Sequence, residues 1–293
     1  MSRFRMQMQT GFTLIELMIA TVLGLLVMGA AIAVFQSNQR TFSANEGQNR
    51  IQENARAAYE MMSRDIRAAG GTACSKMARP DEEHAYNADE TGLMTTPITG
   101  TANEFTVLSG DDASYEITGA TTSSVVLKPS AVSGCKLSDA FKTGDQLVLC
   151  NASLMYVVTA TAVNDGSNTL TFSPATPTAI YFAGIAPAAT VAAARFRSAR
   201  WYLNGGSLYI DRNGTANEVV KGVTAMSVSY LLRNGTGYSV PAVGSSTWQD
   251  IVAVRVNMTL RGQKTMGGDV KVDGNNCITR STSNVAALRV RGL

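Results

Sequence analysis

The chain has 293 residues, enough for a long helix plus one sizeable soluble domain or two small ones. Its 25 Lys+Arg stand against 22 Asp+Glu, a net charge of +3, and this near-neutral balance gives no general case for nucleic-acid binding. The charge is unevenly spread. Residues 71–194 hold 5 basic and 12 acidic side chains, whereas residues 195–293 hold 13 basic and 5 acidic ones. Such a division either supports head-to-tail docking with like or related subunits or averages out on a solvated surface.

Residues 1–11 form a short polar leader carrying Arg3 and Arg5. Gly11-Phe12-Thr13-Leu14-Ile15-Glu16-Leu17 then opens an apolar run that ends near Phe35, and Leu17 to Phe35 contains no charged residue. A helix over 12–35 is long enough to span a ~30 Å hydrocarbon core. Glu16 is the anomaly, because an ionisable group at that depth costs on the order of 3 kcal/mol and implies a partner. Three readings compete. A single-pass anchor would let Glu16 snorkel to the headgroups. A secretory signal cleaved after Ala31-Ile32-Ala33 would need an apolar stretch of roughly 7–15 residues without an acid. The third is a class III prepilin signal, and Gly11 to Leu17 resembles the processing site of type IV pilins and type II secretion pseudopilins.

That resemblance implies a membrane aspartyl prepilin peptidase that cuts after Gly11, N-methylation of the new terminus Phe12, and a role for Glu16 in assembly. The physics is consistent. Cleavage creates an amine on Phe12 at the depth of Glu16, and the carboxylate of an entering subunit can meet the amine of a docked one. Pairing cancels two charges that are each expensive in low dielectric, so it fixes register. Arg3 and Arg5 orient the chain by the positive-inside tendency, which places everything after Phe35 in the periplasm.

Residues 36–70 continue the helix. Ile51, Ala55, Ala58, Met62, Ile66 and Ala69 recur at spacings of three and four, one stripe expected to pack on the chain's own sheet. Glu60 and Arg64 form an i,i+4 pair on the outer face. Gly47 lowers helix propensity and predicts a bend or frayed turn within 43–49. Gly70-Gly71 ends the helix.

Residues 72–101 read as a long surface loop with Cys74, Pro80, the acidic run 81–83 and Pro97. His84, the single histidine, has no spaced Cys or His companions, so no metal site is expected. Strands are predicted over 104–108, 125–128, 145–150, 155–163 and 169–172 from β-branched runs between turn residues. An Ala/Pro/Thr-rich connection follows over 173–194. Residues 199–204 and 207–212 form a hairpin about Gly205-Gly206, and 211–214 read as a second hairpin turn. Met226, Val228, Tyr230 and Leu232, then Val252 to Leu260 at alternate positions, give two half-buried antiparallel strands.

The end of the first helix (52–56 and 64–70), the phrase from Cys135 through Gly144-Asp145 to Cys150, the strand order from Leu208 to Val256 and residues 284–289 resemble PilW-type minor pilins. The likeness runs over nearly the whole chain and is weakest over 72–130. Relatives often carry an Asp-rich loop before the Trp strand. Here 233–238 is Arg-Asn-Gly-Thr-Gly-Tyr, so no calcium is expected. The resemblance implies an α+β pilin-like fold: a leader (1–11), a membrane and assembly helix (12–35), its amphipathic continuation (36–70) and a β-rich periplasmic domain (71–293).

The search for chemistry finds no enzyme signature: no placed nucleophile for His84, no Gly-x-Ser-x-Gly, no phosphate loop, no dinucleotide fingerprint and no Cys-x-x-Cys. No cofactor is expected. Four periplasmic cysteines suggest two disulfides in one of three connectivities. Cys135–Cys150 with Cys74–Cys277 is the expected set, because the first pair closes a short segment turned by Gly144-Asp145; the other two connectivities stay open.

The leading expectation is a minor pilin that is a peptidase substrate rather than an enzyme. It would sit in the inner membrane and then at or near a pilus tip, with other minor pilins, the major pilin and a tip adhesin, supporting twitching motility and adhesion. The alternatives are a J-type pseudopilin of type II secretion and a DNA-capturing pilus subunit. The last would need a basic face with aromatic platforms, for which Arg195, Arg197, Arg200 and Trp201 form the one candidate cluster; no specific nucleic-acid partner is predicted.

Overall fold

The computed structural model describes residues 13–74, 78–79, 87–129, 134–176, 191–264 and 277–289. Its α+β architecture is a long N-terminal helix followed by largely antiparallel β structure. The chain divides into two compact units, Met1–Ile51 with Gly262–Thr279, and Gln52–Arg261 with Arg280–Leu293.

Helix α1 (Leu14–Ala68) runs without a break. It ends at paired glycines, with Gly70 in the left-handed conformation (φ 70°) that a Cβ disfavours. The helix continues through Gly47, so no frayed turn forms within 43–49. Gly47 is buried, and a Cβ there would lie 3.7 Å from Ile278 Cδ1; one at Gly262 would lie 3.2 Å from Ile51 Cδ1. A Cβ at Gly47 would make ordinary van der Waals contact, so packing does not demand glycine there; the tight approach is at Gly262, and the helix runs through Gly47 despite a propensity cost of about 1 kcal/mol. Every member of the predicted stripe, Ile51 through Ala69, is buried. The Glu60–Arg64 pair is corrected: Glu60 accepts from Arg56 Nε at 2.8 Å one turn earlier, and Arg64 instead pairs with Asp112.

Thirteen strands follow among the described residues. β1 (Ile98–Gly100), β2 (Phe105–Ala120), β3 (Ser124–Leu127), β4 (Gln146–Cys150), β5 (Met155–Asn164), β6 (Thr169–Ser173), β7 (Ala192–Asn204), β8 (Ser207–Arg212) and β9 (Thr215–Lys221) form one nine-stranded sheet. Because β2 also pairs with β7, strands β2-β3-β6-β5-β4-β7 close on themselves as an antiparallel barrel. Its interior is apolar, with Ile117, Leu127, Phe141, Leu149, Tyr156 and Phe172 buried together. The long strands β2 and β7 leave the barrel and join β1, β8 and β9. On the inner face there, Phe105 and Trp201 are fully buried with their rings 6.5 Å apart.

The β7–β8 turn has Gly205 and Gly206 at φ 57° and 80°, and the β8–β9 turn has Asn213 and Gly214 at φ 50° and 85°, so both predicted hairpin turns form. A second sheet orders β11 (Tyr238–Ser239), β10 (Val223–Leu232), β12 (Ile251–Lys264) and β13 (Cys277–Ala287). Met226, Val228 and Tyr230 of β10 and Val254, Val256, Met258 and Leu260 of β12 form its buried face, while Leu232 and Val252 are half-buried.

The loop predicted over 72–101 contains α2 (Ala88–Thr95) and β1. Asn87 and Glu90 cap α2 reciprocally, and both also hold β5 through backbone groups of Val157: Asn87 Nδ2 donates to its carbonyl (2.9 Å) and Glu90 Oε1 accepts from its N–H (2.9 Å). This segment covers a wall of the barrel, where Leu93 packs with Val148, Cys150 and Val157. His84 and residues 177–190 of the predicted connection lie outside the described residues.

Candidate functional site

The N-terminal segment is built by a helix cap. Thr13 precedes the first helical residue, and Leu17 N–H donates to the Thr13 carbonyl at 3.2 Å. Glu16 Oε2 accepts from Thr13 N–H (3.1 Å) and from Thr13 Oγ1 (3.0 Å), while Glu16 N–H reaches Thr13 Oγ1 at 3.4 Å. This is a capping box, Thr-x-x-Glu, which satisfies orphan donors at the helix start. Sequence reasoning treated Glu16 as a carboxylate in need of an external partner and missed Thr13, although Thr-x-x-Glu before an apolar run is a readable signal. Gly11 and Phe12 lie outside the described residues. From Leu14 to Phe35 the large apolar side chains are exposed, and α1 is long and apolar enough to cross a membrane.

A second constellation docks α1 on its sheet within the second unit. Asp65 is buried, and its Oδ2 accepts from Trp201 Nε1 at 2.9 Å and lies 3.8 Å from Arg212 Nη2. Burial pushes the Asp65 carboxyl up from its ordinary value, and the Trp201 hydrogen bond and Arg212 oppose that shift. Tyr59 Oη donates to the Val285 carbonyl at 2.8 Å.

The arginines of the candidate cluster are engaged within the chain. Arg195 donates to the Ala140 carbonyl through Nε at 2.7 Å and lies 3.7 Å from Asp145. Arg197 pairs with Asp111, and Arg200 with Glu104. Trp201 is buried under the sheet and offers no stacking platform.

The expected disulfide set is also corrected. Cys74 is bonded to Cys150, with Cα atoms 5.9 Å apart. Cys150 is on the outer wall of β4, beside Val148 and packed with Ala73, Cys74, Ala78 and Leu93. Cys135 is an exposed thiol ahead of the single-turn helix α3 (Leu137–Ala140), and Cys277 is buried at the start of β13. Among the described residues, no group of three or more His, Cys, Asp or Glu is arranged to hold a metal ion.

Comparison with known proteins agrees with the N-terminal reading. Residues 6–32 match the prokaryotic N-terminal methylation motif. No curated protein sequence matches the chain. Among solved structures, a type IV-like pilin from Thermus thermophilus aligns at 16% identity over 52% of this chain and 86% of that one, with a TM-score of 0.28. That superposition is loose and transfers no residue from one chain to the other. The chain thus carries a prokaryotic N-terminal methylation motif at the head of a long apolar helix, ahead of antiparallel β structure. Such a motif implies processing by a prepilin peptidase and N-terminal methylation, and the apolar helix fits anchoring in the inner membrane.

Proposed function

We propose that the chain is a minor pilin of the PilW type, an assembly protein rather than an enzyme. It is cleaved after Gly11, methylated on Phe12, held in the inner membrane with its β structure in the periplasm, and then incorporated at or near the pilus tip. There it acts with other minor pilins, the major pilin and a tip adhesin in twitching motility and adhesion. The observation that carries the reading is the methylation signal at 6–32 on a helix that exposes its apolar side chains from Leu14 to Phe35, with Glu16 as the one charge.

The capping box refines how Glu16 serves assembly. In the free subunit Thr13 gives the carboxylate two donors, which lowers the cost of holding it in the bilayer. Docking exchanges these, or adds to them, the methylated amine of a neighbour, a charge-assisted contact worth roughly twice a neutral one. The test is Glu16→Leu. The variant inserts and is processed, yet is depleted at least about ten-fold from sheared pili, the loss that ~1.4 kcal/mol of pairing would produce. Incorporation at the wild-type level removes the pairing from the mechanism.

A further inference from the structure

The groove between the β1–β2 turn, β7 and β10 belongs neither to the assembly segment nor to helix docking. It is an open groove of about 620 Å³, and its lining includes Thr101, Asn103, Glu104, Arg200, Tyr202 and Met226. The turn that forms its rim is fixed. Val228 N–H donates to the Ala102 carbonyl (2.7 Å) and Thr101 N–H to the Glu104 carbonyl (2.8 Å). The Tyr230 hydroxyl lies 3.3 and 3.4 Å from the carbonyls of Thr101 and Glu104. Opposite the rim, Arg200 donates through Nε (3.1 Å) and Nη2 (2.5 Å) to a single oxygen of Glu104. Its guanidinium is 4.9 Å from the centre of the Tyr202 ring, which in turn stacks on Tyr209 at 5.9 Å. The side chains are therefore preorganised before any ligand arrives.

Their chemistry selects a ligand class. The two charges cancel, so the groove has little net attraction for ions. The pair shares one carboxylate oxygen, which leaves the second oxygen of Glu104 and further N–H groups of Arg200 outside that contact. Acceptor and donors side by side match a vicinal diol, whose neighbouring hydroxyls both give and accept hydrogen bonds. Asn103 adds a carboxamide, and the half-buried Tyr202 ring adds apolar surface for a ring's C–H side. Long-chain apolar ligands are disfavoured, because they would strip water from these polar groups without replacing it.

We propose that this groove binds a neutral sugar, a hexopyranose unit. The Arg200–Glu104 pair reads a vicinal diol, and Tyr202 carries the ring. The site does not depend on the minor-pilin reading and fails or stands separately from it.

Saturation-transfer NMR on the full chain, in phosphocholine-detergent micelles free of sugar headgroups, tests it. The probes are methyl β-glucopyranoside, methyl α-mannopyranoside, glucuronate and tetrahydropyran-methanol, which has the ring but no diol. At least one methyl glycoside should receive saturation with a dissociation constant near ~1 mM, as expected for a ligand of about a dozen heavy atoms. Glucuronate should bind no better, and tetrahydropyran-methanol at least about ten-fold worse, since unmatched polar groups then stay unpaired. Tyr202→Ala and Asn103→Ala should each weaken glycoside binding about five-fold or more, and Tyr202→Phe should retain it. Absence of transfer to both glycosides overturns the proposal. So does equal binding of tetrahydropyran-methanol, a salt-sensitive preference for glucuronate, or glycoside binding that Tyr202→Ala and Asn103→Ala leave unchanged.

Discussion

Replacing Asp65 separates two ways in which a buried carboxylate can act where α1 meets its sheet. Asp65 is 3% exposed, accepts from Trp201 Nε1 at 2.9 Å, and has Arg212 at 3.8 Å, beyond hydrogen-bond reach. Asp65→Ala leaves the indole N–H buried without an acceptor, a cost of about 1–3 kcal/mol, and opens a small void beside the ring. Asp65→Asn keeps an oxygen in place for Trp201 and removes only the charge, so its cost at neutral pH should stay below ~1 kcal/mol. The sign of the pH dependence follows from the raised carboxyl, whose first cause is burial. From about pH 4, where an unfolded Asp ionises, up to the higher folded value, the native state holds a proton that the unfolded chain has released. Stability contributed by this group is therefore present at acid pH and lost as pH rises through that window. Asp65→Asn lacks this loss and should gain on wild type from pH 4 upward. Urea unfolding of the full chain in detergent, followed by tryptophan fluorescence at several pH values, measures both effects. If Asp65→Asn falls as far as Asp65→Ala, or loses ground to wild type as pH rises, the ion pair with Arg212 dominates and the burial argument is wrong.

Intact-mass analysis of the protein from its membrane should give a chain starting at methylated Phe12, and Gly11→Arg should leave it full length; a chain retaining Met1, or one starting after Ala33, refutes the prepilin signal. Non-reducing peptide mapping should link Cys74 to Cys150. Opening that bridge with Cys74→Ser removes a closure over 76 residues, worth roughly 4 kcal/mol in the chain-entropy argument. Cys135→Ser, at an exposed thiol, should change stability by less than ~0.5 kcal/mol; equal losses for both variants would contradict the pairing.

Much of the fold was legible because its signals are local. The stripe from Ile51 to Ala69 has helical spacing, β10 and β12 alternate, and both hairpin turns carry residues that tolerate positive φ. The barrel was not legible. It closes through Tyr115 opposite Ala193 and Cys150 opposite Ala192, pairings between residues far apart in sequence that no short window contains. β2 itself was read as five residues rather than sixteen. Its centre, Ser109 to Ser114, is polar and contains a bulge between Gly110 and Ser114 that breaks the alternation. The disulfide was misread for the same reason. Cys150 alternates with Leu147 and Leu149, which face the barrel interior, and only the fold reveals that its own side is covered by the segment bearing Cys74.

The uneven charge along the chain finds its explanation in that same β2–β7 pairing. Arginines that open the basic portion are set by register against the acidic portion: Arg200 lies opposite Thr106 and pairs with Glu104, and Arg197 lies opposite Ser109 and pairs with Asp111. The bulge in β2 turns Asp111 and Asp112 outward together, and Asp112 takes Arg64 from the end of α1. Arg64 and Asp112 each stabilise the other's charged form, the hydrogen bond between them being the largest cause of Asp112's lowered carboxyl. Opposite charges segregated in sequence are therefore interleaved in space, within one chain. Head-to-tail docking between an acidic and a basic end loses its motive for these residues, because their field is neutralised at a few ångströms rather than projected into solvent. What the described face offers a partner is instead shape and hydrogen bonding, as in the Arg200–Glu104 groove, where a paired charge acts as a donor and an acceptor rather than as an ion.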